Sequence, residues 1–279
     1  MNKPIIRFDN FSIENPDSDR PLIAPLNLTL PPYRTLALVG ESGSGKTLLG
    51  RSILGLLPGQ LNTTGNIYFQ DKKIISVTGT PTVDDKQKTN EIAALEIRGK
   101  AVSFIMQNAI NAFDPLFSLQ DQFCETLQKH TALSYRQALI KAQQSVSKVK
   151  LSSVLLKRLP SQLSGGQLQR MMLALTFALE PELVIADEPT SALDSLTQFE
   201  LLPLFKQMAK ERSMIFITHD LALVQELADD IAVLKRGEIV EFRAKSILFS
   251  HPQHPYTQYL LAMRAKLNQP FARLVRKKQ

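Results

Sequence analysis

Leu36-Ala37-Leu38-Val39 runs into Gly40-Glu41-Ser42-Gly43-Ser44-Gly45-Lys46-Thr47, and Leu48-Leu49-Gly50-Arg51-Ser52-Ile53-Leu54 comes next. The order reads as strand, glycine loop, helix. Glycines at 40, 43 and 45 let successive backbone N–H groups turn toward one point, and the N-terminus of the following helix adds its partial positive charge. The result is a phosphate cradle. Lys46 reaches the β- and γ-phosphates as a mobile point charge, and the Thr47 hydroxyl is placed to ligate Mg²⁺. The match to G-x-x-x-x-G-K-[ST] is complete, and average residue usage makes a chance occurrence in a chain of this length a matter of roughly one in a hundred.

Working outward, the 279 residues can bury a sizeable core. Apolar content of 44% and charged content of 21% describe a water-soluble globular chain. The longest nearly apolar run, Met171 to Leu179, is broken by Thr176 and too short to span a bilayer. Met1-Asn2-Lys3-Pro4 opens no secretory apolar region, so the chain is expected to stay in the compartment where it is made. A single cysteine, Cys124, excludes an internal disulfide and any multi-cysteine metal site, which fits a reducing compartment. The net charge of +7 suits an anionic partner: nucleotide phosphate, an acidic membrane face or nucleic acid. The basic tail from Arg273 to Lys278 reads as a solvated terminus. No aromatic residues interleave the basic ones as a base-stacking platform requires, and no nucleic-acid partner is expected.

Ile5 to Ile13 favours a strand, Asn15 to Pro21 is dense in turn formers, and Pro25 to Leu30 alternates weakly before Pro31-Pro32 stops it. With Gly65 to Phe69 these segments predict an antiparallel β portion beside the glycine-loop unit. Thr78 to Asn90 is polar and without periodicity, a loop, and Glu91 to Arg98 predicts a short helix. Between Ala109 and Leu119 a loop carries greasy knobs, Phe113, Leu116 and Phe117, which are expected to be exposed. Leu119 to His130 and Ser134 to Lys150 predict helices, with Ser134 as N-cap. No strand pattern occurs from Leu119 to Leu179, which predicts a helical subdomain.

The informative pattern lies in the residues that end each buried strand. Leu36 to Val39 ends in the glycine loop, Val102 to Met106 in Gln107, Leu183 to Ala186 in Asp187-Glu188, and Met214 to Thr218 in His219-Asp220. In open parallel α/β sheets ligands bind outside the carboxyl ends of the strands, so an amide, two carboxylates and an imidazole are expected to converge on the cradle. Mg-ATP as ligand gives each a chemical role. Asp187 holds Mg²⁺, Glu188 activates the attacking water, His219 donates to the γ-phosphate, and Gln107 senses Mg²⁺ or the water.

Leu163-Ser164-Gly165-Gly166-Gln167 opens a second, strongly apolar helical run. Ser164 is a candidate N-cap, and the glycines leave N–H groups bare at a helix N-terminus, a further anion site. One ATP does not need two glycine-opened helices from one chain. The economical reading is that the second serves a nucleotide held by another subunit.

At this point the chain closely resembles the ATP-binding cassette family. Leu163 to Gln167 is that family's signature motif, Gly40 to Thr47 its Walker A, Leu183 to Asp187 its Walker B, Gln107 its Q-loop residue, Ser191-Ala192-Leu193-Asp194 its D-loop and His219 its switch histidine. The resemblance covers nearly the whole chain in the family's order and spacing. It implies an α/β fold: a RecA-like P-loop NTPase core with an antiparallel β subdomain and a helical subdomain of about residues 108–179, together spanning residues 1–250, and a short extension at 251–279. It further implies ATP and Mg²⁺ as cofactors, with Thr47, Gln107 and Asp187 around the metal. Ser164, Gly165, Gly166, Gln167 and Asp194 would act on nucleotide across a dimer, and membrane-spanning subunits would couple near the Q-loop. One departure stands out: where family members often stack adenine on an aromatic residue, this chain has Asn15, with Phe11 the alternative if the register slips.

Met106-Gln107-Asn108, Ala112-Phe113-Asp114-Pro115, Leu168-Gln169-Arg170-Met171-Met172 and the tail His251-Pro252-Gln253-His254-Pro255-Tyr256-Thr257 resemble the peptide/nickel importer group. Many peptide-importing members carry a cysteine-rich extension, and no cysteine follows Cys124 here. The shorter form is similar to the first ATPase subunit of nickel and metal–opine metallophore importers. That resemblance implies nickel or a chelated transition metal as cargo ahead of oligopeptide, a non-identical sister ATPase, two permease subunits, an extracytoplasmic binding protein, and a peripheral position on the cytoplasmic face of the bacterial inner membrane. His251 and His254 lie between prolines without a nearby carboxylate or thiol and do not read as a metal site. Soluble cassette ATPases of DNA repair carry long coiled coils, and those of translation carry two cassettes per chain; neither pattern is present.

Overall fold

The computed structural model describes residues 3–77, 94–191 and 193–263. The predicted loop at Thr78–Asn90 lies outside the described residues, as do the first three residues of the helix predicted at Glu91–Arg98, of which residues 94–97 are helical.

Two sheets organise the fold. The strands β1 (Ile6–Glu14), β2 (Ile23–Leu30), β4 (Asn62–Phe69) and β5 (Lys72–Val77) form an antiparallel sheet in the order β2-β1-β4-β5. The central sheet runs β10-β9-β3-β8-β7-β6, from β3 (Thr35–Val39), β6 (Val102–Ile105), β7 (Leu183–Asp187), β8 (Ser213–Ile217), β9 (Asp230–Lys235) and β10 (Glu238–Ala244). Its pairs are parallel except for the β9–β10 hairpin at the edge.

Strands β3, β7 and β8 are buried at every position, as strands covered on both faces must be. Their alternation sorts side chains into different cores. Leu36, Leu38, Leu183, Ile185, Ile215 and Ile217 face the antiparallel sheet and helix α1 (Lys46–Ser52). Val184, Ala186, Met214 and Phe216 face the opposite way, into a core shared with α2 (Leu119–His130), α3 (Tyr135–Lys148), α4 (Gly165–Leu179) and α5 (Ser195–Glu211). Ala37 and Val39 join a third core with α6 (Leu221–Leu227) and α7 (Lys245–Ser250). Phe205 of α5 stands edge-on to Phe216 at 5.6 Å, joining helical layer to sheet through a favourable ring geometry.

Helix starts reflect local chemistry. Ser118 accepts the Asp121 N–H, and the Ser134 N–H and hydroxyl both donate to Gln137 Oε1 at 2.9 and 2.8 Å. Gly50 lets α1 sit close to the sheet, since a Cβ there would meet Ile217 Cδ1 at 2.8 Å. No described helix is long and apolar enough to cross a membrane.

The structure departs from the sequence reading in two places. It adds the strands β5, β9 and β10 to those expected from the sequence. Phe113 is buried and stacked on Phe123 at 6.4 Å, so it is a core residue and not an exposed knob. Leu116 and Phe117 are exposed as expected, and Ile110 joins them.

Candidate functional site

The loop between β3 and α1 is shaped by what it cannot hold. A Cβ on Gly40 (φ +154°) would meet the Leu234 carbonyl oxygen at 2.1 Å, and one on Gly45 (φ +101°) would meet Ile23 Cδ1 at 2.3 Å. Each glycine therefore answers to both a left-handed backbone and a close approach. Gly43 (φ +79°) has open space around it, so its requirement is conformational alone. The loop is further tied to the β9–β10 turn by Gly237 N–H donating to the Ser44 carbonyl at 3.1 Å.

Lys46 is buried inside this loop and donates to the carbonyls of Gly40 (2.9 Å) and Glu41 (2.8 Å). Burial lowers its pKa, while the Glu188, Asp187 and Glu41 charges pull it back up. The Thr47 hydroxyl donates to Asp187 Oδ1 at 2.9 Å, joining the first turn of α1 to the end of β7. Burial raises the Asp187 pKa, with the Thr47 bond, Arg51 and Lys46 acting in the other direction. Two hard oxygen donors in contact, one a carboxylate short of positive charge, fit Mg²⁺.

Next to Asp187, Glu188 holds φ +44°, a left-handed conformation uncommon for a non-glycine residue, and its N–H donates to Ile217 O at 2.9 Å. Its carboxylate meets His219 Nδ1 at 2.9–3.0 Å. Gln107 Nε2 donates to Ser191 Oγ at 3.2 Å, and that hydroxyl donates to the Glu188 carbonyl at 3.1 Å. One cleft of about 490 Å³ is lined by Ser42, Gly43, Gly45, Lys46, Thr47, Leu48, Gln107, Glu188, Ser191 and His219. The ends of four parallel strands thus meet at one cavity. Gly40, Glu41 and Ser44 form the back of the loop and do not line it.

The second glycine helix lies elsewhere. Ser164 Oγ accepts the Gln167 N–H at 3.3 Å and Gln167 Oε1 accepts the Ser164 N–H at 3.0 Å, a capping box that starts α4. Gly165 is exposed with open space around it. Asp194 caps α5, its Oδ1 accepting the Leu196 and Thr197 N–H groups at 3.0 Å. Neither Ser164 to Gln167 nor Asp194 lines the cleft.

At the expected adenine position, Asn15 turns its Oδ1 to the Asp17 N–H at 3.2 Å and shapes the turn after β1. Phe11 has no exposed surface and packs against Phe8 at 5.5 Å, so the alternative of stacking a base on Phe11 is ruled out. Leu48 and Ser191 also line the cleft, although the strand-end pattern points to neither. The available signal for Ser191 is its place three residues beyond Glu188.

A glycine loop closing on a lysine, with a threonine and a carboxylate in contact beneath it and a second carboxylate at the rim, defines a P-loop ATPase domain. The ABC transporter family model matches residues 23–191, and the chain belongs to that family. It is 37% identical over 277 residues to the metal-staphylopine import system ATP-binding protein CntD of Staphylococcus aureus, covering 98% of this chain and 97% of that one. It is 34% identical over 264 residues to the glutathione import ATP-binding protein GsiA of Escherichia coli, covering 92% of this chain and 42% of the relative. Among solved structures, the cassette MJ0796 in a dimeric post-hydrolysis state with ADP and Pi superposes with a TM-score of 0.72 at 24% identity, over 86% of this chain and 98% of that one. CbiO1 from Clostridium perfringens, described as part of the cbiONQ complex, gives a TM-score of 0.72 at 21% identity over 98% of both chains.

The raised Asp187 pKa carries a stability consequence. In the folded state this carboxyl binds its proton more tightly than in the unfolded chain, so its contribution favours folding at low pH and declines as pH rises from the unfolded value through the folded one. Asp187→Asn removes the penalty while leaving an oxygen to accept the Thr47 bond. The nucleotide-free variant is expected to unfold at higher urea concentration than the unsubstituted protein at pH 7, with the difference closing below about pH 4. A variant that is less stable at pH 7 contradicts this account of the site.

Proposed function

We propose that this chain is the ATP-hydrolysing subunit of an importer that takes up nickel or a chelated transition metal through membrane permeases. The observation that carries the motor assignment is the meeting of Lys46, Thr47, Gln107, Glu188 and His219 at one cleft, with Asp187 in contact with Thr47 beneath it. The cargo assignment is supported by the near full-length similarity to a metal-staphylopine import ATPase. The half-length similarity to a glutathione import protein supports an oligopeptide or other peptide cargo as the second reading.

In this reading the Gly40–Thr47 loop wraps the phosphates and Lys46 exchanges its two carbonyl partners for phosphate oxygens. Thr47 and Asp187, with Gln107 nearby, would hold Mg²⁺, which would neutralise charge on the phosphates when bound. Glu188, aimed by its left-handed backbone, orients and deprotonates the attacking water. His219, paired with that carboxylate, donates to the γ-phosphate as charge develops. Ser164, Gly165, Gly166, Gln167 and Asp194 serve the nucleotide of a sister ATPase. This is supported by their absence from their own chain's cleft lining and by the exposed start of α4.

Two permease subunits dock beside Gln107. A second cleft of about 440 Å³, lined by Ile110, Asn111, Phe113, Pro115, Pro160 and Ser161, lies next to the exposed Leu116 and Phe117 and offers an apolar seat there. The subunit then sits peripherally at the cytoplasmic face of the inner membrane, with the binding protein engaged only through the permeases.

Glu188→Gln is expected to leave Mg-ATP binding within about twofold while lowering turnover in the assembled complex by about 10²–10⁴, as steady-state phosphate release measures. Turnover within tenfold of the unsubstituted protein contradicts the role given to Glu188. A strain lacking this chain is expected to lose uptake of nickel or a chelated transition metal while still importing oligopeptides. Retained metal uptake with lost peptide uptake supports the second reading.

A further inference from the structure

Residues 251–263 contribute nothing to the cleft lining, yet they reach the glycine loop at one atom. The Glu41 N–H donates to the Tyr256 hydroxyl at 3.0 Å across 215 residues of sequence. Further contacts hold the segment that carries that hydroxyl. The buried Glu241 carboxylate accepts the N–H groups of Gln253 and His254, both at 3.0 Å, and so caps the helical turn that begins at residue 255. His254 Nδ1 accepts the Tyr256 N–H at 3.1 Å. The Tyr256 ring is buried against the core that contains Ala37 and Val39 of β3, and Lys235 Nζ lies 4.9 Å from its centroid. This accounts for His254 and Tyr256 of the His251–Thr257 stretch without a metal.

Glu41 is the second residue of the loop, directly after Gly40, whose backbone is already pressed against Leu234. The opposite end of the loop is held through Ser44 and Gly237. Among the described residues, the Tyr256 hydroxyl is the side-chain anchor of the Glu41 amide, so its loss frees the turn from β3 into the loop.

We propose that Tyr256 is a positioning residue for the glycine loop, its hydroxyl fixing the Glu41 amide so that residues 251–263 act as a strap that preorganises the phosphate cradle. The proposal rests on the reading that this loop holds the phosphates of ATP. The strap acts on nucleotide affinity and not on the chemical step, because it touches the start of the loop and none of Gln107, Glu188 or His219.

Tyr256→Phe deletes the acceptor while keeping the ring in its core and under Lys235. Loss of the hydroxyl's hydrogen bonding to the Glu41 backbone and side chain is expected to weaken ATP binding to the full chain by about threefold to tenfold, measured with a fluorescent ATP analogue. In the assembled complex KM is expected to rise by a similar factor with kcat within twofold. Amide exchange at Glu41 is expected to quicken while exchange in β3 stays unchanged. Lys46→Ala supplies the control. If Lys46→Ala abolishes binding but Tyr256→Phe binds as the unsubstituted protein does, the strap is overturned and the site reading stands. If Tyr256→Phe lowers kcat with KM unchanged, the strap is likewise overturned. If Lys46→Ala and the unsubstituted protein bind ATP alike, the site reading falls and the strap with it.

Discussion

The fold depends on one close approach: the backbone of Gly40 lies where any side chain would collide with the Leu234 carbonyl of β9. That contact requires β9 to lie directly beside β3, as it does in parallel register from Leu36↔Asp230 to Val39↔Val233. On the other side of β3 lie β8 and then β7, whose last residue, Asp187, accepts the Thr47 hydroxyl. Gly45 repeats the constraint against Ile23 of the antiparallel sheet. The glycine loop is therefore the place where the two sheets and the β9–β10 hairpin are fastened together, and its path at Gly40 and Gly45 follows from packing that nothing bulkier allows. Sites preorganised by packing in this way lose little on ligand binding to ordering.

Placement of the chemistry is a consequence of the parallel strands. Because β3, β6, β7 and β8 run in the same direction in register, the residues that end them fall along one edge, and a cleft at that edge collects Lys46, Gln107, Glu188 and His219 without long loops. The left-handed Glu188 is the local cost of turning that carboxylate to the rim. The glycine helix at Ser164 starts in the helical layer, away from that edge, and its exposed N-terminus is free to meet another subunit. Under the proposed cross-subunit reading the site is complete only when two subunits close, and hydrolysis then reports on assembly.

Much of this is legible in the sequence because the signals are local. A short apolar run followed by polar residues marks a buried strand and its functional end together, which locates Gln107, Asp187, Glu188 and His219. Strands β5 and β10 lack such a run, and that of β9, Ile231 to Leu234, ends in Lys235, which does not line the cleft. The β4–β5 turn places Gln70 (φ +49°) and Asp71 (φ +64°) in left-handed conformations, a type I′ pattern without the glycine or asparagine that usually announces it. The Arg236-Gly237 turn, with φ of +48° and +84°, does carry that glycine, and the apolar Ile231 to Leu234 before it is the available clue. Phe113 reads as a loop knob because its burial against Phe123 depends on where α2 packs, and no spacing rule encodes that. Tyr256 touches Glu41 only through tertiary structure.

The central claim is that the signature helix of this chain serves a nucleotide held by another subunit. The most direct test uses ATP with a photoreactive γ-phosphate in the assembled complex, with Lys46→Ala introduced in this chain alone and adducts mapped by mass spectrometry. The account predicts that labelling of this chain's own glycine loop disappears while labelling at Ser164–Gln167 persists. Loss of both together would contradict it, because the second glycine helix would then serve the nucleotide of its own chain.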